Sequence, residues 1–195
     1  MLSEEEYLLF WWLLQEHFKP IKRPPLQQGA LAANKSTSHS SLTGVTEDQH
    51  HHHAYGEIYA HDNAVPSESA VINTWYQVSV FDTNGPCHET VPDHTNDHIT
   101  IGLTGDYQIN CSLSLFDAQT QDWEFAVYTN NGGTYWDNIE CQTTMLAGSK
   151  VLSTSFCGLA SLTAGDTVEL WYKCFTDGDQ DLTIKLVNLN LLRML

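Results

Sequence analysis

The chain has 195 residues, 42% of them hydrophobic and 11% aromatic, so one core-forming body with an appendage is expected rather than two full domains or a disordered polymer. Its formal charge is −16, and beyond residue 54 the only fixed cations are Lys150, Lys173, Lys185 and Arg193. A surface this acidic repels phosphate backbones and anionic lipid headgroups, which argues against nucleic acid and membrane partners.

Ser3 followed by Glu4, Glu5 and Glu6 reads as a helix start, the serine capping free amides and the acids facing the positive end of the helix dipole. A short helix is expected over residues 4–18. Its apolar run, Tyr7–Leu14, lacks the basic leader of a secretion signal and falls well short of the roughly 20 apolar residues of a membrane span. It must therefore bury itself against protein. Tyr7, Leu8, Phe10, Trp11, Trp12, Leu14 and Phe18 form the expected anchor, each contributing about 1.5–3 kcal/mol when fully buried. Pro20, Pro24 and Pro25 end the helix beside the basic patch of Lys19, Lys22 and Arg23, so residues 1–25 read as anchor helix plus tether. Residues 26–53 are poor in large apolar groups and read as an extended linker that carries histidines.

From residue 54 to 195 the texture is short runs of β-formers broken by Gly, Asn and Asp, the pattern of an all-β sandwich. In Tyr107–Leu115 the odd positions Tyr107, Ile109, Cys111, Leu113 and Leu115 are apolar and the even ones polar, as in a half-buried strand. Trp123–Tyr128 is a second strand, stopped by a turn at Asn130-Asn131-Gly132-Gly133. Thr167–Phe175 is a third, between the Ala164-Gly165-Asp166 turn and Asp177-Gly178-Asp179; Val168, Leu170, Tyr172 and Cys174 suit a core, with Glu169, Trp171, Lys173 and Phe175 opposite. In Leu182–Leu191 the apolar phase flips near Leu186-Val187, as a bulge requires.

The five cysteines (Cys87, Cys111, Cys141, Cys157, Cys174) form an odd set without CxxC spacing and read as free, buried thiols suited to a reducing cytoplasm. Cys87-His88-Glu89, and Asp93-His94 with Asp97-His98, contain nucleophile, base and acid types, but adjacency in sequence does not give triad geometry, and the chain reads as non-enzymatic. Asp177-Gly-Asp-Gln-Asp181 lacks the length and closing glutamate of a calcium loop and reads as a hairpin turn. Trp171 and Phe175 read equally as semi-exposed aromatics under a loop or as a subunit interface.

Gly105–Phe116, Phe125–Gly132, Leu162–Trp171 and the terminal stretch ending at Arg193 together resemble complement-type and tumour necrosis factor-like jelly rolls, and more closely the bacteriophage virion proteins that use this head. The resemblance spans residues 70–195; the insertion Asp82–Asp97 has no counterpart and no Gly-x-y stalk precedes the head. It implies an all-β antiparallel sandwich, a jelly roll, which the short N-terminal helix and extended linker read above would precede. It also implies a homotrimer, which raises the interface reading of Trp171 and Phe175. His39-x-x-Leu-x-Gly-Val-Thr-x-Asp-Gln-His50-His51 is similar to His-bearing repeats of phage tail fibres and tail spikes. Three chains around a threefold axis, each giving His50 with His52 or His51 with His53, would offer six imidazole nitrogens to one transition metal; a solvated His-rich linker is the alternative. The expected role is a virion structural protein, a head fibre or capsid decoration protein assembled in the host cytoplasm and anchored by its N-terminus to a capsid or tail protein. The alternative is a tail-fibre or receptor-binding tip that contacts host surface glycans through outer loops, residues 82–97 and 130–140, with Tyr135 and Trp136 as a sugar platform.

Overall fold

A computed structural model of the chain describes residues 53–63, 71–117, 119–146, 151–176 and 182–194. The expected helix with its anchor residues Tyr7, Leu8, Phe10, Trp11, Trp12, Leu14 and Phe18, the linker up to His52, and the Asp177–Asp181 turn lie outside the described residues.

The described elements are all strands: β1 (Tyr55–Ala60), β2 (Tyr76–Gln77), β3 (Thr83–Asn84), β4 (Thr90–Asp93), β5 (His98–Ile101), β6 (Gly105–Phe116), β7 (Gln121–Thr129), β8 (Thr134–Met145), β9 (Leu152–Leu162), β10 (Thr167–Cys174) and β11 (Thr183–Arg193). They form two antiparallel sheets, ordered β3-β1-β11-β6-β9 and β4-β5-β10-β7-β8, with β2 added beside β10.

The alternation of the sequence decides which faces meet. Tyr107, Ile109, Cys111, Leu113 and Leu115 of β6 are all buried, as are Val168, Leu170, Tyr172 and Cys174 of β10. In β11 the register shifts between Ile184 and Leu186, so the buried positions change from Ile184 to Val187, Leu189 and Leu191, the expected bulge. Between the sheets Trp123 is fully buried, and its indole N–H donates to the equally buried Asp117 carboxylate at 3.1 Å, because an unpaired donor there would be costly. All five thiols are free; Cys111 and Cys174 are buried, whereas Cys87 and Cys157 are exposed, which corrects the expectation of buried thiols. Burial pushes the Cys111 thiol far above its ordinary pKa.

The stretch Asp82–Asp97, expected as an outer loop, contains two strands instead. β3 pairs with β1 and β4 with β5, so cross-strand hydrogen bonds, invisible in a sequence rich in Pro, Asn and His, organise it. Asp97 closes the β4–β5 turn at φ 56° and accepts the Phe81 amide, and burial raises its carboxyl pKa to about 6. The native state therefore holds this proton more tightly than the unfolded chain, and its contribution to stability is lost as pH rises through that value. Asp97→Asn, which keeps an acceptor and tolerates the left-handed backbone, should raise the unfolding midpoint relative to wild type at pH 8 and lose that advantage toward pH 4, read by differential scanning calorimetry.

β8 and β9 close one side of the sandwich. The Asn138 amide donates to the Leu159 carbonyl at 2.8 Å, and a Cβ on Gly158 would lie 2.7 Å from the Asn138 carbonyl oxygen. Gly158→Val should therefore cost about 1–3 kcal/mol by overpacking, measured by chemical denaturation.

Candidate binding site

The outward face of the β4-β5-β10-β7-β8 sheet carries the densest chemistry among the described residues. Register aligns it in rows: Tyr135, Tyr128 and Glu169; then Glu140, Ala126 and Trp171; then Gln142, Glu124 and Lys173. Directly paired residues share a face, so these side chains meet although they are distant in sequence. Trp75, from the segment before β2, joins them: its ring lies 5.3 Å from Tyr128 and 5.8 Å from Tyr135. Tyr128 also touches Tyr135 and Trp171, each at 5.2 Å.

Two charged groups hold this aromatic cluster in place. Glu169 is only 2% exposed, yet its carboxylate accepts the Asn131 amide at 2.7 Å, the Gly132 amide at 3.1 Å, the Thr167 hydroxyl at 2.7 Å and the Trp171 indole N–H at 3.0 Å. Charge-assisted bonds to a buried carboxylate are among the stronger protein hydrogen bonds, so Glu169 fastens both the β7–β8 turn and Trp171. The turn needs positive φ at Asn130, Asn131 and Gly132, and Gly132 lies against the Trp171 ring. Lys173 is the only lysine or arginine in the strands of this sheet. Its ammonium sits 2.8 Å from the Glu124 carboxylate, 4.4 Å from the centre of the Trp75 ring and 4.6 Å from that of Phe175. Glu140 receives the Tyr135 hydroxyl and lies beside Glu124; burial first, then the hydrogen bond and charge of Glu124, raise its pKa.

Tyr135 and Trp136 were expected in a loop, but both belong to β8, because the Asn130–Gly133 turn reverses the chain at once. They part there: Tyr135 is exposed at the aromatic cluster, whereas Trp136 is half-buried, packs against the core, and its indole nitrogen has no hydrogen-bond partner among the described residues. Residues 130–140 are thus turn followed by strand rather than an open loop. Trp171 and Phe175 lie on the outward face, each half-buried with partners on its own chain, Tyr128 and Glu169 for the first and Lys173 for the second. Alternation in β10 signalled this face; Trp75 carried no such signal, since it follows no periodic run. His50, His51 and His52 lie outside the described residues and His53 is exposed. Among the described residues no group of His, Cys, Asp or Glu is placed to hold a metal ion. His88 packs against Tyr55, and His94 lies 3.1 Å from the Asn84 side-chain oxygen.

The opposite sheet face differs in kind. A relay of amides crosses it: Gln108 donates to Asn110 at 3.0 Å, Asn110 to Asn190 at 3.0 Å, Asn190 to Asn188 at 2.7 Å, and Asn188 to the Glu57 carboxylate. Ser112, Ser155, Cys157 and Leu159 are exposed around it, and residues 108–114, 153–159 and 186–192 contain no charged residue. A groove of about 540 Å³ at one end is lined by Tyr59, His61, Ser112, Ser155, Leu186 and Asn188.

No protein-family profile matches the chain, and no curated protein matches it in sequence. Solved structures do match. The Eiger TNF of S. frugiperda superposes with a TM-score of 0.52 at 15% identity, over 73% of this chain and 94% of that chain. Murine APRIL, solved at pH 5.0 and at pH 8.0, gives TM-scores of 0.49 and 0.47 at 15% identity, over 73% of this chain and 100% of each of those. The fold is a tumour necrosis factor-like jelly roll. At this identity the likeness is one of fold alone, and the two faces of this jelly roll must be read from their own chemistry.

Proposed function

We propose that the chain is a homotrimeric structural protein of a virus particle, a head fibre or capsid decoration protein assembled in the host cytoplasm. Its jelly-roll heads pack around a threefold axis, and the segment bearing Tyr7, Leu8, Phe10, Trp11, Trp12, Leu14 and Phe18 docks on a capsid or tail protein. The observation that carries the assembly is the uncharged centre of the β6–β9–β11 face, residues 108–114, 153–159 and 186–192, with Asp106 and Glu57 at its margins. On a chain of charge −16, copies repel one another, and any carboxylate trapped between them is expensive to desolvate. The centre of this face avoids both costs, since it presents uncharged hydroxyls together with amides that bond one another within the chain. The groove beside Tyr59 and Leu186 then receives side chains of a neighbour. In a cyclic trimer each contact joins two different surfaces, so the groove need not face itself. Trp171 and Phe175, the interface residues expected from the sequence, lie on the other sheet with partners of their own; packing through them is the competing arrangement.

The virion role draws on the sequence resemblance to phage proteins and on the apolar N-terminal run. Imaging an intact particle that displays this protein, at a resolution that traces residues 1–25, tests it: those residues should be seen against a capsid or tail subunit. A protein found free of particles, or a segment with no protein contact, overturns the role. The adhesive alternative, a receptor-binding tip, is favoured by the aromatic face described above.

A further inference from the structure

Along β8 a strip of polar and aromatic groups runs beyond the tightly packed ring of Trp75, Tyr128 and Trp171. Outward on β8 stand Tyr135, Glu140, Gln142 and Thr144, and the last three span about 14 Å, at roughly 3.4 Å per residue. Across the strand pair, Asp122 and Phe175 lie beside Gln142 and Thr144 around a groove of about 310 Å³. Asp122 already accepts the Thr144 hydroxyl at 2.6 Å through one oxygen, while its second oxygen accepts no bond among the described residues. Phe175 forms the apolar wall, its ring held by the Lys173 ammonium.

We infer that this strip is a binding site for an uncharged oligosaccharide. Aromatic rings at the two ends, Tyr135 and Phe175, offer flat apolar surfaces for the C–H faces of sugar rings. Between them a carboxylate, an amide and a hydroxyl offer donors and acceptors at strand spacing, the few convergent polar groups that orient a ligand in a pocket. Charge decides the class. Asp122, Glu124 and Glu140 stand here against Lys173, whose charge is committed to Glu124 at 2.8 Å. A sialylated, sulfated or phosphorylated ligand would meet net repulsion, whereas hydroxyls donate to these carboxylates without an ionic cost. A basic peptide would find the carboxylates but leave the amide and hydroxyl without purpose, so it serves as a competitor in the test. The site uses the outward face of the sheet opposite the amide relay, so the inference is independent of the virion role and compatible with a trimer built on the relay face; a trimer packed through Trp171 and Phe175 would cover it.

The test uses the full chain with linear neutral trisaccharides (glucose-, mannose- and N-acetylglucosamine-based), sialyllactose, a sulfated heparin fragment and a Lys/Arg-rich peptide, followed by calorimetry and saturation-transfer NMR. At least one neutral trisaccharide should bind, and Phe175→Ala and Gln142→Ala should each weaken it by about tenfold with the unfolding midpoint unchanged. Gln142 is exposed, so its variant keeps the test informative if Phe175→Ala proves unstable. Binding of none of the neutral sugars, preference for the sialylated or sulfated ligand or for the peptide, or affinity indifferent to Gln142→Ala would overturn the inference. The same samples report their mass by sedimentation; a monomer that binds sugar refutes the trimer and leaves this site intact.

Discussion

Glu169→Ala lowers the thermal unfolding midpoint by about 6–12 °C, the counterpart of about 3 kcal/mol in a domain of this size. The carboxylate is 2% exposed and gathers four donors, from Asn131, Gly132, Thr167 and Trp171. Removing it takes the acceptor from two turn amides, the Thr167 hydroxyl and the half-buried indole N–H at once, and bonds to a charged acceptor are worth about 1.5–3 kcal/mol each before water replaces part of them. Glu169→Gln tests the cause: its amide can accept at one atom only and turns a donor toward other donors, so it recovers little of the loss. If the glutamine variant matched wild type in calorimetry, the charge-assisted account of the turn would be wrong. The Trp171 fluorescence should shift to the red in both variants, because its ring loses the tether that holds it against Tyr128.

The second large effect concerns assembly. Ser112 and Ser155 are paired across β6 and β9, exposed, at the centre of the uncharged face. Ser112→Asp with Ser155→Asp adds two charges per chain to that face. The isolated head tolerates them because both positions reach water. In the trimer six carboxylates would be driven toward one axis, and the association should weaken by more than about 100-fold, since each uncompensated buried charge costs several kcal/mol. Sedimentation equilibrium should then report a species of 21.9 kDa where the parent chain gives three times that mass. Trp171→Ala in the same assay separates the two arrangements: it leaves the trimer intact if the amide face is the contact and breaks it if the aromatic face is.

The fold was legible wherever one strand carried its own period. β6 and β10 declared their buried faces by alternation, β11 announced its bulge by a change of phase, and the Asn130–Gly133 and Ala164–Asp166 turns were marked by residues that tolerate positive φ. What escaped lies in relations between strands. Thr83–Asn84 and Thr90–Asp93 are too short and too interrupted by Pro, Asn and Asp to show a period, and they are strands because β1 and β5 offer them partners. Tyr135 was expected with Trp136 in a loop; it is exposed on β8 instead, and its neighbours Tyr128, Glu124 and Glu140 meet it through the β7–β8 register, which shifts between Ala126 and Val127. Glu169 looked like an ordinary surface acid; four donors from a turn and a tryptophan make its burial affordable. The amide relay was visible only as polar residues on the even positions of β6, and its continuity needs Asn188 and Asn190 from β11 beside them.

One measurement addresses the central claim, that identical copies meet through the uncharged centre of the amide-relay sheet face. Cys157 is exposed on that face in the single chain, and Cys87 is exposed between β3 and β4. Alkylation of the native protein, read by mass spectrometry at high and low concentration, compares the two thiols in one sample. Cys157 should be shielded at high concentration and become reactive on dilution, while Cys87 reacts at the same rate throughout. Equal and concentration-independent reaction of both thiols would contradict the account.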